Sequence, residues 1–132
     1  MSFTIPGIVY TRYSSGDMSA HQFKAVQAST VNSDEGCIVV ATRGHKLDAH
    51  CLRAAVATRA RYVGLLGSRR KTVLIEKMLR DEDVAEERLR AVHAPIGLDL
   101  GGRTPAEIAL SVLAEMSQER FGGNAGPLRL RT

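Results

Sequence analysis

Apolar and polar positions along the chain predict alternating strands and helices. Cys37–Thr42 is a short run of apolar, largely β-branched residues, which is typical of a strand buried on both faces. A second apolar run, Tyr62–Leu66, predicts a second strand. Asp48 is the expected N-cap of a helix between the two strands. The apolar residues of that helix recur at helical spacing: Leu52, Ala55 and Val56.

The second strand is followed by a glycine turn, Gly67-Ser68, and by the pattern of another helix. The apolar side of this helix is expected to comprise Leu74, Ile75, Met78 and Leu79. Strand, helix, strand and helix at this spacing form a βαβα unit, so we expect two adjacent parallel strands joined by a right-handed crossover.

Beyond residue 80 the pattern predicts a short exposed helix at Asp81–Arg90 and a last strand at Val92–Ile96. Thr104 followed by proline, with Glu107 three positions later, is a capping-box pattern and predicts a helix start. Gly122 and the glycine after it are expected to end this helix. Its expected buried residues are Ile108, Ala109, Val112, Leu113 and Met116.

Residues 1–36 carry weaker patterns. Ile8–Tyr10 predicts an edge strand, and a helix capped by Asp17 or Ser19 would bury apolar residues at positions 23 and 26. Residues 122–132 show no apolar pattern, so we expect a flexible tail. The predicted fold is therefore α/β: a single partial Rossmann-like domain over residues 1–121, with a mostly parallel sheet flanked by helices.

Composition agrees with a globular domain. The chain has 132 residues, 44% of them hydrophobic and 24% charged, which excludes a chain that is disordered throughout and a fibrous rod. No apolar run approaches the length of a membrane span. The two cysteines, Cys37 and Cys51, form no Cys-x-x-Cys pair, and we expect buried thiols in a reducing cytoplasm.

The charge is concentrated in one region. The net charge is 18 − 14 = +4, but Ala49–Ile75 contains six basic residues and no acidic one, so the rest of the chain sums to −2. A localised basic region favours a small anionic ligand over nucleic acid. The basic residues are Arg53, Arg59, Arg61, Arg69, Arg70 and Lys71.

The most basic part of this region lies at a predicted helix start. Free N–H groups and the helix dipole favour an anion there, so we predict a phosphate-type site; a solvated basic turn is the alternative. It is not a Walker A loop, because Arg70 occupies the position of the required glycine. The candidate residues are Gly67, Ser68, Arg69, Arg70 and Lys71.

Two further loops are expected at the same edge of the sheet, where ligands bind in open α/β folds. The first contains Thr42, Arg43, Gly44 and His45, with Asp48 close behind; the second contains Gly97 and Asp99. His45 is either a hydrogen-bonded loop residue, available for proton transfer or for a polar ligand, or a buried structural residue. No metal site is expected, because the histidines near Asp48 are loosely spaced. We expect no catalytic residue, and the absence of Gly-x-Gly-x-x-Gly disfavours NAD(P) or another nucleotide.

Together these loops resemble the xanthine dehydrogenase accessory family, XdhC/CoxI, over about Ile38–Arg120. The resemblance implies the carboxyl-terminal Rossmann-like domain of a maturation factor for a molybdenum hydroxylase. It also implies binding of molybdenum cofactor (molybdopterin), protection of the cofactor during sulfuration, and delivery to the apo-enzyme. The matching stretches are Thr42–His45 with Asp48, Tyr62–Lys71, Ala94–Gly101 and Thr104–Ala109.

Full-length members of that family carry an N-terminal domain and a glycine-rich unit that this stretch lacks. A cofactor-binding chaperone, or one part of a multi-chain chaperone, is therefore our first expectation. The alternatives are a nucleotide-dependent oxidoreductase-like domain completed by another chain, and a degenerate structural half-domain. The expected partners are an apo molybdenum hydroxylase, a separate chain carrying the missing half, and further copies of this chain.

Overall fold

The protein is described by a computed structural model that covers residues 2–5, 8–11, 33–42 and 44–130. Arg43 and the helix predicted after Asp17 or Ser19 lie outside the described residues. The described chain forms two compact units, residues 1–96 and residues 97–132, and each is treated by itself below. The single-domain boundary at residue 121 and the flexible tail remain predictions.

Four strands form one sheet in chain order: β1 (Ser2–Ile5), β2 (Ile8–Thr11), β3 (Cys37–Val40) and β4 (Tyr62–Leu65). The pair β1–β2 is antiparallel, whereas β2–β3 and β3–β4 are parallel. The mostly parallel sheet and the parallel contact of the two predicted strands are therefore confirmed. The expectation of an edge strand at Ile8–Tyr10 was wrong, because β1 pairs with the outer side of β2.

Helices α1 (His45–Val56) and α2 (Arg69–Asp81) follow β3 and β4 and cover one face of the sheet. Ile75 and Leu79 of α2 have no exposed surface, but Leu74, which we expected inside, is 45% exposed. Leu74 lies one residue before Ile75, and a step of one residue turns a helix by about 100°, away from the core. The core also contains Val40, Leu52, Ala55, Val63 and Leu65.

The acid-rich segment is shorter as a helix than predicted. Helix α2 continues to Asp81, Asp83 has a left-handed backbone with φ of 64°, and α3 comprises only Glu86–Arg90. Arg80 Nε donates a hydrogen bond of 2.8 Å to Glu86 Oε2 across this turn. The left-handed residue breaks the helix that the pattern predicted as continuous.

The last predicted strand is reduced to one parallel bridge between His93 and Gly64, with His93 N–H donating to the Val63 carbonyl at 2.9 Å. The His93 ring stacks on Tyr62 with ring centroids 4.5 Å apart. Gly64 leaves space here for Ile96, since a Cβ atom at this position would lie 2.6 Å from Ile96 Cγ1. The segment after β4 therefore packs directly on the strand backbone.

The second unit contains α4 (Pro105–Phe121), whose predicted ends are confirmed. The Thr104 side chain accepts from Glu107 N–H at 3.2 Å, and the Glu107 carboxylate accepts from Thr104 N–H at 3.3 Å. Gly122 ends the helix with φ of 75°. The predicted buried stripe was wrong: only Met116 is buried, because apolar residues occur on several sides of α4.

Among the helices that the structure describes, none combines the length and the apolar character needed to cross a membrane.

Candidate functional site

Two of the predicted loops follow the carboxyl ends of neighbouring parallel strands. Thr42 comes just after β3, and Ser68 comes just after β4 and before α2. Because the strands are parallel and adjacent, both loops lie at the same edge of the sheet. Contacts through Asp48 join the first loop to the first turn of α2, as described next.

The Asp48 side chain is fully buried inside α1 and does not cap it. Its Oδ1 accepts a hydrogen bond of 3.0 Å from Thr42 N–H and one of 2.6 Å from the Thr42 hydroxyl. The N-cap is Gly44, without a side-chain hydrogen bond, so the expectation that Asp48 caps this helix was wrong. Hydrogen-bond donors and a countercharge stabilise a buried carboxylate more than the N–H groups of a helix end do.

The countercharge is Lys71. Its Nζ makes an ion pair with Asp48 Oδ2, and that oxygen has no aligned hydrogen-bond donor besides this contact. The Lys71 side chain is 25% exposed, and its stem passes Gly67, where a Cβ atom would lie 3.0 Å from Lys71 Cδ. Lys71 therefore neutralises a charge of the protein itself.

The other two cations of the first turn have no such partner within the described residues. Arg69 and Arg70 are exposed, and the first turn of α2 contains no acidic residue. Ser68 caps the helix: its Oγ accepts from Lys71 N–H at 3.2 Å, and its carbonyl accepts from the Thr72 hydroxyl at 3.0 Å. The first N–H groups of a helix have no intrahelical acceptor, so this turn can donate to an anion.

The first loop is only partly described. Gly44 and His45 are exposed, and so is His50, whereas Arg43 lies outside the described residues. A buried structural role for His45 does not agree with this exposure. Nowhere in the described ranges do three or more His, Cys, Asp or Glu side chains form a group that could hold a metal ion.

The third loop belongs to the second unit and is attached to α4. Gly97 N–H donates to Glu115 Oε1 at 3.0 Å, and the Leu98 carbonyl accepts from the Ser111 hydroxyl. Asp99 is exposed. Its place beside the other two loops remains a prediction.

Sequence reasoning missed the connection between Asp48, Lys71 and Cys51. Cys51 lies one helical turn after Asp48 and is buried; burial first, and then the Asp48 charge, raise the pKa of the thiol to about 11. A single acidic residue ahead of a long acid-free basic window was the available signal. The pairing of Asp48 with Lys71, and not with another cation of the window, becomes visible only in the structure.

A mostly parallel sheet with a basic helix start at its carboxyl edge defines a Rossmann-like α/β domain. The chain belongs to the XdhC Rossmann domain family, whose family model matches residues 9–116. This match begins earlier than the motif resemblance, which started near Ile38. The family expected from the loop motifs is thus confirmed.

Two curated relatives are much longer than this chain. The uncharacterized protein YqeB of Escherichia coli (strain K12) is 38% identical over 102 residues, which are 77% of this chain and 18% of that protein. A probable xanthine dehydrogenase component of Bacillus subtilis (strain 168) is 33% identical over 82 residues, 62% of this chain and 23% of that protein. The chain thus spans about a fifth of these relatives.

One solved structure has a similar fold. The crystal structure of a xanthine dehydrogenase from Bacillus halodurans superposes with a TM-score of 0.53 at 24% sequence identity. The match covers 72% of this chain and 26% of that one. At this level of identity the similarity supports the fold alone.

Proposed function

We propose that this chain is the cofactor-binding domain of an accessory factor that serves a molybdenum hydroxylase of the xanthine dehydrogenase type. Its ligand would be molybdenum cofactor, held by the phosphate group at the first turn of α2. The observation that carries the proposal is membership of the XdhC Rossmann domain family over residues 9–116. The relative from Bacillus subtilis, a probable xanthine dehydrogenase component, supports the class of client enzyme.

The chemistry of the first turn of α2 fits a phosphate group. Ser68 satisfies Lys71 N–H, while the N–H groups and guanidinium groups of Arg69 and Arg70 remain as donors at the surface. Two exposed cations at a helix N-terminus oppose the helix dipole, and a bound dianion would reverse that cost. Hydrogen bonds from arginine to phosphate are charge-assisted and directional.

Asp48 and Lys71 would act as positioning residues. The Asp48 carboxylate connects Thr42 after β3 with Lys71 in α2, so both loops keep a constant separation. Pre-organised donors bind an anion with a smaller ordering cost than mobile ones. The cofactor supplies redox chemistry to the client enzyme, whereas the residues of this chain bind and orient it.

The experiment measures retention of cofactor by the purified protein. After incubation with released molybdenum cofactor and desalting, bound molybdenum and bound pterin are quantified, with parallel incubations in NADPH and in ATP. The proposal expects retention of the cofactor alone. The variant Arg69→Gln/Arg70→Gln should bind it at least about tenfold more weakly per arginine, given ~1.5–3 kcal/mol for each charge-assisted hydrogen bond.

A matched control removes two positive charges elsewhere. Lys77 is an exposed cation later in the same helix and Arg103 is exposed in the second unit, so Lys77→Gln/Arg103→Gln should retain the cofactor. The melting temperature of Arg69→Gln/Arg70→Gln should be unchanged or slightly higher. Equal retention by both double variants, each folded, would refute the assignment, and retention of NADPH or ATP instead would favour the oxidoreductase-like alternative.

A further inference from the structure

A small pocket lies at the opposite edge of the sheet from the candidate cofactor site. It occupies the corner between the end of α1, the start of β4 and the segment around α3, with a volume of about 100 Å³. Thr42 and Ser68 follow the carboxyl ends of the strands, whereas this pocket lies at the amino end of β4. It is therefore separate from the candidate cofactor site. Its lining residues are Ala55, Val56, Thr58, Ala60, Arg61, Val63, Arg88, Ala91 and Val92.

The pocket lining is positively charged. Among the described residues that line it, Arg61 and Arg88 are the only ionisable ones and none is acidic. Both arginines are exposed, and no ion pair or hydrogen bond joins Arg61 to another described side chain. Arg88 Nη1 donates to the Val56 carbonyl at 2.6 Å, which orients the guanidinium against the end of α1 without neutralising it. One carbonyl contact leaves most of the five guanidinium N–H groups available.

Protein groups already bind three of the acceptors around the pocket. The Ala55 carbonyl accepts from the Thr58 hydroxyl at 2.6 Å and from Thr58 N–H at 3.1 Å. The Thr58 oxygen in turn accepts from Ala60 N–H at 3.2 Å, and Arg88 occupies the Val56 carbonyl. The charged donors that remain unused in the lining are guanidinium N–H groups. A matching ligand must supply acceptors and negative charge.

The size of the pocket limits the ligand to one small group. The pocket volume of about 100 Å³ is below the ~150 Å³ of an apolar cavity that encloses one benzene molecule. That is room for one phosphate or carboxylate group, and it is well below the ~300–1,000 Å³ of pockets that enclose drug-sized ligands. Apolar walls from Val63 and Val92 leave room for a short alkyl group beside the charge.

We propose that this corner is an oxyanion-binding site, in which Arg61 and Arg88 bind a phosphate or a carboxylate group. This inference does not depend on the cofactor site, because the two lie at opposite edges of the sheet. The same chemistry could come from inorganic phosphate or from an organic acid, and the test distinguishes these sources.

The test follows backbone amide shifts by NMR at constant ionic strength, with inorganic phosphate, propionate or chloride as the probe. A site of this kind gives saturable shifts at Thr58, Arg61 and Val92 with phosphate or propionate, and none with chloride. Saturation by phosphate alone identifies phosphate as the ligand group, and saturation by propionate alone identifies a carboxylate. Linear, non-saturating shifts with all three probes would overturn the proposal.

Substitutions of the two arginines test whether they bind the anion. Arg61→Met should weaken saturable binding about twofold to fivefold, as expected for an exposed charge pair. Arg88→Met should weaken it more, and its amide spectrum shows whether the fold is intact. Arg103→Met, which removes an exposed arginine outside the pocket, should have no effect. Undiminished binding by Arg61→Met would overturn the proposal even if Arg88→Met failed to fold.

Discussion

The ammonium group of Lys71 is paired with the carboxylate of Asp48, a residue with no exposed surface. The pair joins the first turn of α2 to the interior of α1, and through Thr42 it reaches the end of β3. Lys71, one of the three cations at the start of α2, therefore stabilises the fold. The consequences can be measured without any ligand.

Lys71→Met and Asp48→Asn should lower the free energy of unfolding by different amounts. Lys71→Met leaves a buried carboxylate without its countercharge, so we expect the free energy of unfolding to fall by about 3 kcal/mol. Asp48→Asn should cost only about 1 kcal/mol, because the released Lys71, already 25% exposed, can turn into water. Urea denaturation measures both. A larger loss for Asp48→Asn than for Lys71→Met would contradict this account, and Lys77→Met is the surface control.

Substitutions at Ser68 should separate helix capping from anion binding. Ser68→Asp keeps a good N-cap and adds a negative charge that the helix dipole favours, so stability should be maintained or rise slightly. The same charge should repel a phosphate and abolish cofactor retention. Ser68→Ala should show the reverse, with a loss of about 1 kcal/mol of stability and retained binding. Parallel losses of stability and binding in both variants would mean that binding follows the stability of this turn and not its charge.

The two thiols should react at different rates. Because burial and the Asp48 charge raise the pKa of Cys51 to about 11, Cys51 should resist a disulfide reagent near neutral pH, while half-buried Cys37 reacts first. Cys37→Ala should therefore remove the fast phase of labelling and Cys51→Ala should keep it. Fast labelling of Cys51 in the folded protein would contradict the raised pKa.

The same pKa predicts a pH dependence of stability. Folding favours the protonated form of Cys51, so its contribution is fully present below the unfolded thiol's pKa of 9.0 and is lost as the pH rises towards about 11. Between those values the free energy of unfolding should fall with pH more steeply for the unmodified chain than for Cys51→Ala. Identical slopes from denaturation at several pH values would remove Cys51 as the cause.

Gly64→Ala should destabilise the sheet through one identified contact. A Cβ atom at residue 64 would lie 2.6 Å from Ile96 Cγ1 and would force the side chain of Ile96 or β4 to move, at a cost of about 1–3 kcal/mol. In an Ile96→Ala background the same substitution should cost much less. A double-mutant cycle by denaturation measures this coupling, and additive costs would show that Ile96 is not the obstacle.

Short sequence patterns correctly predicted the strands and helix ends that depend only on neighbouring residues. The β-branched run of β3 and the capping box at Thr104 depend on neighbours within a few residues. The strand and the helix start were both confirmed, but the expected burial of β3 on both faces was wrong, since only Val40 is fully buried. Asp48 shows the limit of such signals. A carboxylate near a helix start resembles a cap in the sequence, but its partner Lys71 comes from the next helix and becomes visible only when β3 and β4 pair.

The position of the candidate site was predictable from the sequence, but the roles of its individual side chains were not. The order of strands and turns placed Thr42 and Ser68 at one edge of the sheet, because parallel pairing follows from the short βαβ spacing. The sequence did not show which of the three cations pairs with Asp48. Lys71 does so and Arg69 and Arg70 stay exposed, because only the Lys71 side chain reaches the interior. The exposed Ile108 and Leu113 of α4 were missed for a similar reason: periodicity reveals apolar positions, not what covers them.

The attachment of the third loop to α4 has a consequence for homologue exchange. Gly97 and Leu98 are bound to Glu115 and Ser111 by hydrogen bonds that stay within residues 97–121. The loop and α4 should therefore be exchanged together, because the hydrogen bonds to α4 hold the loop that contains Asp99. Chimeras that cut between the loop and the helix would break these bonds, whereas a junction before Gly97 would preserve them.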